Sequence, residues 1–152
     1  MEKYRIGNKK EYKDLIFEEI SANFRRILIK SLSNNYFIKI DKNRTIILES
    51  IDNKEIDPFI WYVTIIRNEI TFFSNESYLG VNENNNNVTG QEYMKRWKFE
   101  IEKNLYIFYN ENEGNTLTIK NNKAFISQKL KDNETQLFSL VDIPLELKEL
   151  NF

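Results

Sequence analysis

The chain has no cysteine and no histidine, and only four glycines and two prolines. Without cysteine there is no disulfide, no thiolate nucleophile and no sulfur ligand for a metal. Without histidine, the commonest general base near neutral pH and the commonest metal ligand are missing too. Ser-His-Asp and Cys-His nucleophile systems are therefore excluded, and zinc is left without nitrogen or sulfur donors. The glycines (Gly7, Gly80, Gly90 and Gly114) stand alone, so no glycine-rich phosphate loop exists. Asn110 to Asn115 fails as a calcium loop. With Gly114 at the glycine position, Tyr109 and Lys120 fall at the first and last ligand positions.

Neither sign of charge dominates. The 22 basic residues interleave with 23 acidic ones for a net charge of -1, whereas a nucleic-acid binder shows a basic excess or stripe. No apolar run approaches the roughly 18 residues a membrane span requires. Residues Met1 to Lys10 lack the apolar stretch of a secretory signal. The expectation is a cytoplasmic protein with no cofactor, metal, nucleic acid or membrane among its ligands.

What is present suits one core. A chain of 152 residues, 14% of them aromatic, reads as a single globular domain, 1–152. The 21 asparagines, with much lysine and isoleucine, are the composition of an AT-rich genome, which fits a bacterial or phage source.

The helical period is clearest from Asn8 to about Leu32. Ile16, Phe17, Ile20, Phe24, Ile27 and Leu28 fall within roughly 120° of one another on a helical wheel. Asn8 and Glu11 have capping-box spacing, and acids precede bases along the stretch, as the helix dipole favours. Leu15, Ala22 and Ile29 form a narrower seam on the opposite side, suited to another protein or a second copy of this one. From Tyr36 the period falls to 2. Strands are predicted at 36–40, 45–50, 59–66, 69–73, 95–101, 105–109, 116–120, 123–130 and 135–141. Phe59 to Ile66, apolar on both faces, reads as a central strand covered on both sides. Residues 74–90, with the run Asn84 to Asn87, read as a flexible loop. Pro144 to Leu150 reads as a short final helix. The fold class expected is α+β, one long N-terminal amphipathic helix on a curved antiparallel meander or partly closed barrel of about nine strands. No internal repeat is evident.

Chemistry is sparse. Glu49, Glu69, Glu100 and Glu102 sit on predicted strands whose alternation partners are apolar, so they read as surface charge rather than catalytic carboxylates. The aromatics Trp61, Tyr62, Tyr93, Trp97, Tyr106 and Tyr109 combine apolar bodies with polar edges. Such residues anchor protein interfaces and line ligand pockets, and they equally fill the core of a curved sheet, where bulk is needed. The leading expectation is thus a non-catalytic protein-binding module, an inhibitor or immunity-type protein acting by steric occlusion. The alternative is a pocket protein holding an apolar or sugar-like ligand between helix and sheet.

Overall fold

The computed structural model describes residues 24–52, 55–110 and 114–143. Twelve strands fall into three successive runs of four. The first is β1 (Phe24–Ser31), β2 (Phe37–Ile40), β3 (Ile46–Glu49) and β4 (Trp61–Ile66). The second is β5 (Glu69–Ser74), β6 (Ser77–Asn82), β7 (Asn87–Gln91) and β8 (Trp97–Glu102). The third is β9 (Leu105–Tyr109), β10 (Asn115–Lys120), β11 (Lys123–Gln128) and β12 (Phe138–Asp142). Two 3-10 turns, Asp57–Phe59 and Glu134–Gln136, are the only helical segments among the described residues.

The outer strands of each run close a barrel. Antiparallel pairing passes from β1 to β4, β5, β8, β9, β12 and back to β1. Closure leaves none of these six as a free edge. The inner strands make three hairpins, β2–β3, β6–β7 and β10–β11. The hairpins hold one another at one end: Gly90 N donates to Arg44 O at 2.9 Å, and Ile126 N donates to Asn86 O at 2.8 Å. The three runs are related by position as well as order. Trp61, Trp97 and Phe138 each open the last strand of a run and are fully buried. The Trp61 and Trp97 indoles donate to Ile38 O and Leu79 O at 2.9 and 3.0 Å, matching places on β2 and β6. A chain of ring contacts, Trp61–Phe72–Phe108–Phe138, fills the barrel. Large aromatics suit the wide interior, and edge-to-face contacts add to their burial.

The expected long helix is overturned. Residues 24–31, its last part, form β1, which pairs with β4 on one side and β12 on the other. Ile27 and Ile29 enter the main core while Leu28 enters a smaller one with Phe37, Phe59 and Ile143. A strand buried on both faces carries consecutive apolar residues, and three residues of β1 also fit a helical stripe. The earlier residues of that helix, Leu15 and Ala22 of the seam, and the C-terminal helix from Pro144 lie outside the described residues. Ile29, the third seam residue, is fully buried rather than at an interface. Among the described residues the fold class is all-β, not α+β.

The span 74–90 is also not a loop. It holds β6 and β7, joined over residues 83–86 by a turn that asparagine largely builds. Asn82 Oδ1 accepts from Asn84 N at 3.0 Å, Asn85 Oδ1 accepts from Asn87 N at 2.9 Å, and Asn86 takes φ 62°.

Candidate functional site

A cleft of about 740 Å³ opens on the barrel's outer surface where the second run meets the third. Its floor is a cross-strand row, Glu69 on β5 opposite Lys98 on β8, and Lys98 opposite Tyr109 on β9. These side chains point outward because their neighbours Ile70, Trp97 and Phe108 point into the core. Glu100, two residues along β8, joins the same face. One wall is the two-residue turn Arg67-Asn68, both residues left-handed at φ 52° and 69°. That is the geometry of the tight hairpin turn that matches strand twist. The other wall is Asn110, Gly114 and Lys129. Gly114 takes φ +87°, which a side chain would strain, and its carbonyl accepts from Lys129 N.

Tyr109 and Glu100 both line this floor, with Glu100 close enough to act on the phenol. Burial first, then the nearby carboxylates of Glu100 and Glu102, push the Tyr109 phenol up to about 12. The phenol therefore stays protonated. A carboxylate has about four acceptor positions, which Glu100 can offer to a ligand.

Of the six aromatics singled out in the sequence, Tyr109 alone lines this cleft. Trp61 and Trp97 are core residues with their indole N–H groups already bonded to backbone. Tyr106 stacks on Phe108 at 5.8 Å and lies beside Arg25. Tyr62 is 41% exposed but stands elsewhere, in an outward row with Phe73 and Tyr78. Tyr93 is 79% exposed, in the segment leading to β8. The central-strand reading of 59–66 is corrected by the same exposure, since the outward face of β4 is uncovered at Tyr62. Glu69 and Glu100, read as surface charge, are brought to one cleft. Nothing in the sequence joined Arg67, Lys98, Asn110 and Lys129 into one site, because pairing across runs alone unites them.

A six-stranded barrel capped by three hairpins in threefold array is a β-trefoil. No protein family and no curated protein matches the sequence, but solved structures do match the fold. A ricin B-like lectin of Macrolepiota procera, solved with lactose, has a TM-score of 0.67 at 12% identity, over 77% of this chain and 94% of that one. A designed threefold-symmetric protein, ThreeFoil, has a TM-score of 0.64 at 14% identity, over 78% of this chain and 99% of that one. An endo-β-galactosidase from Clostridium perfringens that releases GlcNAcα1-4Gal has a TM-score of 0.70 at 14% identity. That match covers 79% of this chain and 33% of the enzyme. At these identities the likeness is one of fold. The expectation of an inhibitor or immunity-type module is overturned, and its aromatic anchors Trp61 and Trp97 are core filling in this barrel.

Proposed function

We propose that this protein binds carbohydrate without cleaving it, in the cleft between the second and third strand runs. The observation that carries this reading is the Tyr109–Glu100 pair on the floor of an open cleft, in a fold shared with sugar-binding proteins. A sugar ring has apolar C–H faces and a rim of hydroxyls. The Tyr109 ring offers an apolar face, and Glu100 accepts from hydroxyls while Asn68 and Asn110 both donate and accept. Charge-assisted bonds to the carboxylate are the stronger ones.

The test is a glycan array followed by isothermal titration calorimetry on the best ligand. Glu100→Gln and Tyr109→Ala should each weaken binding about tenfold or more, since a hydrogen bond to a charged group contributes roughly 1.5–3 kcal/mol. A chain that binds no glycan overturns the proposal. Release of new reducing ends from a bound glycan would overturn its non-catalytic part.

A further inference from the structure

A second depression of about 490 Å³ adjoins the cleft, and the two share Glu69 and Lys98 as a common boundary. Its remaining lining is Met94, Lys95 and Arg96, the residues that lead into β8. The joined groove is longer than either hollow. It is also far from electrically neutral. Arg67, Lys95, Arg96, Lys98 and Lys129 line it against Glu69 and Glu100, five cations to two carboxylates among the described residues, in a chain whose net charge is -1. Glu111 and Glu113 lie outside the described residues. The imbalance is also directional. At the cleft end Arg67 and Lys129 stand with Glu100 and Tyr109, whereas the depression holds Lys95 and Arg96 with no carboxylate beyond the shared Glu69. Lys95 is not a loose chain end: its ammonium lies over the buried Trp97 ring, 5.5 Å from the centroid, a contact that favours a fixed position.

We infer that the groove takes an acidic oligosaccharide. A neutral ring lies against Tyr109 and Glu100, and a carboxylate- or sulfate-bearing unit lies in the depression with Arg96 and Lys98. This rests on the carbohydrate-binding reading and narrows it to a chain of more than one unit carrying negative charge. The physical reason is focusing: a concave surface lined by one sign of charge raises the local potential felt by an opposite charge. Arg96 adds a planar fork of donors that matches a carboxylate or sulfate in two places at once. Glu100 makes the opposite demand. Its carboxylate competes with an acidic group at the cleft end, so the depression, with Lys95 and Arg96 against only the shared Glu69, is the better seat for the acid.

The experiment prints neutral glycans beside their sialylated, uronic-acid and sulfated counterparts and measures affinities for the best matched pair by calorimetry. The acidic member should bind about tenfold more tightly, with the advantage shrinking as salt rises. Arg96→Gln should close most of that gap. Preference for the carboxylated or for the sulfated counterpart identifies the acid, and either supports the inference. Equal affinity for neutral and acidic members, or a gap that Arg96→Gln leaves intact, overturns it while the carbohydrate reading stands. Binding of dextran sulfate that survives Tyr109→Ala overturns it as plain ion exchange. A chain that binds no glycan at all brings down both readings.

Discussion

Single residues separate the roles that the sequence merged. Trp61 and Tyr62 are neighbours in the chain, yet one is sealed in the barrel and the other faces outward. The alternation of a strand does this, and only the partner strands decide which parity is inside. Ile29 shows the consequence for stability. It is fully buried against the main core, so Ile29→Glu places an unpaired charge in apolar surroundings. The variant should lose several kcal/mol, a large share of the roughly 5–15 kcal/mol that holds a domain folded, and chemical denaturation should find it largely unfolded. Tyr109 makes a subtler prediction. Its phenol ionises at about 12 in the folded chain and near 10 in an unfolded one. The folded state thus holds its proton more tightly. The stability this contributes is present below pH 10 and is lost as pH rises from about 10 to 12. Tyrosinate absorbance should show one late-titrating phenol that disappears in Tyr109→Phe, and the variant's stability should fall less over that window.

At the scale of elements, the turns explain the asparagines. Asn35, Asn68, Asn75, Asn86, Asn104, Asn121 and Asn122 all take positive φ at strand connections. Asparagine tolerates that region better than other residues with a side chain, so what reads as genome composition is also turn chemistry. The strands themselves were largely legible. Nine predicted segments coincide with β2–β5 and β8–β12, because each alternates or carries a β-branched or aromatic run. Three were not. β1 is buried on both faces and its Phe24, Ile27 and Leu28 also fit a helical stripe, while β6 and β7 are polar strands around an asparagine turn. Gly90 marks how tightly the hairpins meet. A Cβ there would collide with the Ile40 side chain and lie 3.0 Å from the Cβ atoms of both Arg44 and Ser77. Gly90→Val should therefore cost about 1–3 kcal/mol or more by overpacking, read as a fall in thermal midpoint. The third run has its own fastening. Gln136, buried, donates to Gln128 O at 2.8 Å and accepts from Leu130 N at 2.8 Å. Gln136→Leu strands those backbone groups and should destabilise by roughly 1–3 kcal/mol for each one left unsatisfied.

For the whole molecule, closure is what matters. The last strand, β12, pairs with both β9 and β1, and Asp142 on β12 holds Arg25 on β1 at 2.8 Å. Removing the chain from Phe138 onward opens the barrel and exposes two edges with their core faces. Such a truncation should abolish the cooperative unfolding transition rather than trim it. The cleft belongs to this scale as well, since its floor crosses from β5 to β8 to β9 and its walls come from turns of separate runs. Tyr109 and Glu100 were both noted along the chain, one among six aromatics and the other among four carboxylates. Nothing in their spacing paired them, and Lys98 and Lys129 were never singled out.

The sequence alone determined the strand-rich middle, the tight asparagine turns and the absence of cysteine and histidine chemistry, because alternation, turn preference and side-chain chemistry are local properties. Which apolar residues fill the barrel, that the first stretch before Leu32 ends in a strand, and that Glu69, Lys98, Glu100 and Tyr109 share one surface were decided only by tertiary pairing. Those outcomes depend on register between strands far apart in the chain, and a local pattern carries no record of its distant partner.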